Sequence, residues 1–136
     1  MWKMVNTRAV TPSLHQNYLQ KAQECFASAQ DAFAKNHWNS CVINAVYSGI
    51  SAADALTVFH LSQRCIGERH NEVLQLIRQI KVLPGMDLNK KIQQLSSLLG
   101  LKNQAEYEEK LITSNEADLA LKHAERFLDW AKELTR

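Results

Sequence analysis

The stretch Trp38–Ala53, WNSCVINAVYSGISAA, carries no charged residue, and Asp54 is the first carboxylate to follow it. Small residues (Ser40, Ala45, Ser48, Gly49, Ser51, Ala52, Ala53 and Ala55) mix there with Val42, Ile43, Val46, Tyr47 and Ile50, and Leu56, Val58 and Phe59 carry the pattern on to about residue 60. A helix that is apolar nearly all round is buried nearly all round, and small side chains let neighbouring helices come close. Residues 38–60 therefore read as the central helix of a bundle, or as a helix with one side against another subunit.

The flanks agree. Upstream, Thr11-Pro12 reads as an N-cap followed by proline at the first helical position. Tyr18, Ala22, Cys25, Phe26, Ala29, Ala32 and Phe33 then recur at three and four to about residue 35, and Asn36-His37 makes the break. Downstream, helical period resumes over 70–82, and 83–86 (LPGM) is a turn. Asp87 can cap a helix over 88–99 that Gly100 is placed to end. Residues 104–112 form a short helix or a loop with one turn. Thr113-Ser114-Asn115-Glu116 matches a capping box opening a last helix, which buries Leu119, Leu121, Ala124, Phe127, Leu128, Ala131 and Leu134. The expectation is an all-α, up-and-down bundle of four to five helices forming a single domain over 1–136, with residues 1–10 a flexible N-terminal arm.

Bulk properties narrow the function classes. Four glycines and two prolines in 136 residues are too few for the turns of an all-β fold. A net charge of +2 falls short of a dedicated nucleic-acid binder but permits an RNA or nucleotide partner. The three cysteines include no CxxC pair and no histidine at zinc-finger spacing, so no metal site and a reduced, cytoplasmic setting are expected. The N-terminus lacks the apolar core of a signal peptide, and no long uncharged run suited to a bilayer is read.

Chemistry concentrates in residues 62–72, SQRCIGERHNE, which join two apolar helices. Arg64 offers a planar fork matched to phosphate oxygens, and His70 stands where the third helix begins, able to act as base or acid. Asp54, in the buried-looking helix, needs a partner or a wet position. Arg64 and His70 are the candidates, and Tyr47 and Ser51 share its stripe by helical spacing. A base that takes the proton of a 2′-hydroxyl and a cation that steadies charge on phosphorus would together suffice to cleave an RNA backbone without a cofactor. Lys90, Lys91 and Lys102 could line a phosphate-binding rim. Tyr107 reads as a core residue or a contact to the loop.

Two segments carry a resemblance. Residues 18–56, YLQKAQECFASAQDAFAKNHWNSCVINAVYSGISAADAL, and residues 106–130, EYEEKLITSNEADLALKHAERFLDW, resemble the paired and closing helices of the HEPN superfamily of small helical-bundle proteins. Between them that family carries an arginine, a short spacer and a histidine, positions held here by Arg64 and His70. Cys65 follows the arginine where a polar residue, often asparagine, is typical. Arg69, adjacent to His70, would point elsewhere on a regular helix and is a secondary binding candidate. The resemblance implies a homodimer with both Arg–His motifs in a composite cleft. In active members that cleft is a metal-independent endoribonuclease, commonly the toxin of a toxin–antitoxin pair or part of an anti-phage system, with a nucleotidyltransferase-fold protein as frequent partner. In this chain His70 would be base or acid, Arg64 the phosphate stabiliser and Asp54 the orienter. Other members of the family imply the alternative, a non-catalytic nucleotide-binding or protein-interaction module.

Overall fold

A computed structural model describes residues 5–67, 70–81 and 87–136, with His70 described by its backbone alone. Among these residues five helices pack around one another: α1 (His15–Ala34), α2 (Trp38–Leu61), α3 (His70–Arg78), α4 (Leu88–Tyr107) and α5 (Ser114–Leu134). The all-α bundle expected from the sequence is the fold found.

α2 is its axis, packed against α1, α4 and α5. Cys41, Val42, Ala45, Val46, Ala52, Ala53 and Leu56 are fully buried along it. Small residues set the spacing. Ser48 Oγ donates to the Ala22 carbonyl of α1 at 2.8 Å, and a Cβ at Gly49 would lie only 3.0 Å from Leu98 Cδ1 and 3.2 Å from Leu95 Cδ1 of α4. α2 does reach the length and mean hydropathy of a membrane span, 1.4 over an 18-residue window, contrary to the sequence reading. That window is 67% buried by the other helices, which is the same core position its composition indicates.

The helix ends follow from local chemistry. Pro12 opens a 3₁₀ turn, Pro12–Leu14, that leads into α1, but Thr11 makes no side-chain cap. Asn36, at φ 61°, turns the chain from α1 to α2. The Asp87 carboxylate accepts the Lys90 N–H, and Thr113 and Glu116 form the reciprocal capping box of α5. α5 buries Ala117, Ala120, Ala124, Phe127, Leu128 and Ala131, whereas Leu119, expected inside, points off that face and is half exposed.

Three further expectations are corrected. Gly100 does not stop α4, which runs on to Tyr107 because Leu101 and Ala105 continue its core face. Burial of those two side chains outweighs the roughly 1 kcal/mol that a mid-helix glycine costs. α3 closes at Arg78, where Gln79 and Ile80 N–H groups switch to carbonyls three residues back; the turn read at 83–86 lies outside the described residues. The N-terminal arm is not loose from residue 7 onward. Thr7–Ala9 forms a strand, β1, paired antiparallel with Gln63–Cys65, β2, in the register Thr7↔Cys65, Arg8↔Arg64 and Ala9↔Gln63.

Candidate functional site

α2 leaves the helical conformation at Ser62, φ 55°, and β2 starts at the next residue. The alternation of a strand then decides which way each side chain of the 62–67 segment faces. Gln63 is exposed, Arg64 half-buried and Cys65 buried. Cys65 belongs to the core, and burial pushes its thiol pKa up. Arg64 turns back over the end of α2.

There it meets Asp54. Arg64 Nε donates to Asp54 Oδ2 at 3.3 Å, and the Arg64 Cζ lies 5.9 Å from the centroid of the Tyr18 ring on α1. Asp54 is 4% exposed. Burial raises its pKa to about 6, and the charges of Arg64 and Lys21 draw it back only in part. The pairing of Asp54 with Arg64, one of two raised by the sequence, is thus present, and a buried carboxylate fixes the direction of a half-exposed guanidinium.

Beside this pair opens a cleft of about 450 Å³. One wall is α2 (Ile50, Asp54), the rim is the 64–67 segment, and the opposite wall is α4, with Leu99, Lys102, Asn103 and Tyr107. Asn103 Nδ2 donates to Glu108 Oε2 at 2.7 Å. Glu72, in the first turn of α3, fills the space a side chain at Gly67 would need, which is why the rim accepts a glycine there. Ile66 and Tyr107 stand at the mouth, 45% and 76% exposed; Tyr107 is therefore no core residue.

The remaining sequence candidates divide. Lys102, proposed as a rim cation, lines the cleft. Tyr47 and Ser51 do not: Ile50 and Asp54, one turn apart, form the α2 wall, and the Tyr47 hydroxyl donates instead to Glu106 Oε1 at 3.0 Å, with Lys102 Nζ 6.0 Å from the centroid of the Tyr47 ring. Arg69 and the His70 side chain lie outside the described residues; the His70 backbone opens α3. Asn103 and Ile66 carry no signal of their own in the sequence, because only the long run of α4 and the turn after β2 bring them to the cleft. Among the described residues no three His, Cys, Asp or Glu side chains gather as a metal site would require.

A family model for the HEPN domain matches residues 15–134 of the chain. The chain belongs to the HEPN domain family. Its structure is similar to that of TT1696 from Thermus thermophilus, with a TM-score of 0.73 at 16% identity over 89% of this chain and 98% of that one. It is also similar to ST0689, an archaeal HEPN homologue, with a TM-score of 0.63 at 17% identity over 90% of this chain and 98% of that one. At such identities the likeness is one of HEPN fold. A search of curated proteins finds no match.

Proposed function

We propose that this HEPN protein is a metal-independent endoribonuclease acting as a homodimer, the toxin member of a toxin–antitoxin or anti-phage pair whose antitoxin has a nucleotidyltransferase fold. The observation that carries the reading is the Asp54–Arg64 pair at the rim of the 450 Å³ cleft, in a chain where His70 begins the next helix. His70 takes the proton of an RNA 2′-hydroxyl, whose oxygen attacks the adjacent phosphorus. The bond from phosphorus to the 5′-oxygen breaks, and that oxygen takes the proton that the His70 imidazolium gives up, directly or through solvent. The products are a 2′,3′-cyclic phosphate and a 5′-hydroxyl. Arg64 stabilises the charge that builds on the phosphoryl oxygens, and Asp54 keeps the guanidinium aimed. The exposed Ile66 and Tyr107 at the mouth give a second copy an apolar rim to cover. Incubation of the purified protein with RNA, beside Arg64→Ala and His70→Ala variants, is expected to show cleavage reduced by about a hundredfold or more in each variant. Equal cleavage by all three overturns the mechanism.

A second reading, a non-catalytic module that binds a nucleotide or docks a nucleotidyltransferase-fold partner, is favoured by one feature of the same site. The Arg64 charge is already compensated by Asp54 and the Tyr18 ring, and its neighbour Cys65 faces the core. Expression of the chain alone separates the two: growth arrest that requires Arg64 and His70 supports the nuclease, and harmless expression supports the module.

A further inference from the structure

We propose that Arg8, carried on β1, joins Arg64 and Lys21 in a strip that binds the phosphate backbone of single-stranded RNA beside the cleft. The proposal rests on the RNA reading of that cleft for its ligand class and adds a residue outside the family match, which begins at residue 15.

Register is the first observation. Arg8 stands directly opposite Arg64 in the β1–β2 ribbon. Residues opposite each other across an antiparallel pair project from the same face with Cβ atoms about 5 Å apart, and like charges so placed destabilise the ribbon. The neighbouring pair Thr7↔Cys65 takes the other face, where Cys65 is buried, so the two arginines share the face turned from the core. Arg8 is exposed there.

The surroundings are the second. Lys21 Nζ lies 5.5 Å from the centroid of the Tyr18 ring, the ring that Arg64 also overlies, and Lys21 is close enough to Asp54 to lower the carboxyl's proton affinity. Arg64 and Lys21 thus gather about Asp54, which is nearly out of solvent, and Arg8 stands beside Arg64 on the ribbon. Asp54 offsets only one of these charges, so the strip as a whole stays positive and a ligand that neutralises it must be anionic. It must also offer several acceptor oxygens in a row for guanidinium forks and an ammonium to share, which a phosphodiester chain does.

The test uses the full chain and a fluorescein-labelled 2′-O-methyl RNA oligonucleotide, which lacks the 2′-hydroxyl nucleophile and so binds without being cut. Anisotropy titrations run over a series of potassium chloride concentrations. Arg8→Ala is expected to raise Kd by about fivefold and to lower the slope of log K against log salt by about 0.7, the value for one single-strand phosphate contact. Its melting temperature should equal or exceed that of the parent. Arg8→Lys should keep the slope and lose part of the affinity. Arg8→Gln, which keeps part of the side-chain stem and a polar head without the charge, replaces alanine if the ribbon is disturbed. Unchanged Kd and slope in the neutral variants, or no binding of the oligonucleotide by the parent chain, overturns the proposal. Cleavage of unmodified RNA is scored separately, so Arg8-dependent binding without cleavage sinks the nuclease and leaves the strip standing.

Discussion

Among the described residues two helix ends turn through the same local device, and one of the two turns borders the cleft. Asn36 ends α1 and Ser62 ends α2, each in the left-handed conformation, at φ 61° and 55°. After Asn36 the backbone bonds close locally: His37 N–H donates to the Ala32 carbonyl at 2.8 Å and Cys41 N–H to the His37 carbonyl at 2.9 Å. The hollow beside that turn, about 280 Å³, is lined by Trp38, Leu111 and Ile112 among others and carries no arginine, lysine or carboxylate. After Ser62 the bonds go to a remote strand. Val10 N–H donates to the Ser62 carbonyl and Ile66 N–H to the Asn6 carbonyl, both at 3.0 Å. A turn that satisfies its own backbone stays short. One satisfied by β1 can run extended, and its side chains are then free to alternate between core and cleft.

The largest expected effect lies in the buried carboxyl beside the second turn, which the first turn lacks. Burial gives the Asp54 carboxyl a pKa of about 6 in the folded chain against an ordinary 3.8, so the folded state holds the proton to higher pH than the unfolded state does. The contribution of this group to stability is therefore greatest below about pH 4, falls as pH climbs towards 6, and levels off above. The drop is on the order of 3 kcal/mol at about 1.4 kcal/mol per pKa unit. Urea melts across this range should show it, and Asp54→Asn should flatten the profile. Arg64→Ala removes the nearest cation and should extend the fall to higher pH. A profile unaltered by Asp54→Asn would mean that the carboxyl is not the titrating group.

Removing β1 breaks the comparison directly. Truncation of residues 1–9 deletes the acceptor of the Ile66 N–H and the strand facing Arg64. Stability should fall by about 2 kcal/mol, at roughly 1 kcal/mol for each flanking backbone bond lost or frayed. Hydrogen exchange sharpens the point: the Ile66 amide should lose its protection while the His37 amide keeps it. Equal protection before and after truncation would show that the second turn holds itself.

These contrasts also mark what could be read from the amino acids. α2 was legible because burial on all sides leaves a compositional trace, the uncharged run from Trp38 to Ala53. The capping box at Thr113 and the Asp87 cap were legible because each is a contact over three residues. The β1–β2 ribbon was not. Three-residue strands are too short to show alternation, and their partners lie more than fifty residues apart in the chain. That non-local pairing hid Arg8, just as the continuation of α4 past Gly100 hid Asn103. Asp54 was conspicuous as a charge in an apolar helix, yet its pairing with Arg64 depended on the strand that follows Ser62.

The smallest effect compares the two left-handed residues themselves. An L-residue in that conformation costs about 1–2 kcal/mol, less for asparagine, whose short amide side chain suits it. Glycine removes the cost but loses more entropy on folding, by roughly 0.5–1 kcal/mol. At position 36 the two nearly cancel, so Asn36→Gly should change stability by only a few tenths of a kcal/mol. At position 62 the serine lacks that accommodation, and its exposed side chain makes no hydrogen bond among the described residues. Ser62→Gly should therefore stabilise by up to about 1 kcal/mol, read as a shift in the urea midpoint with unchanged slope. If both glycine variants shift equally, the strain at the two turns is the same, and what separates them is β1 alone.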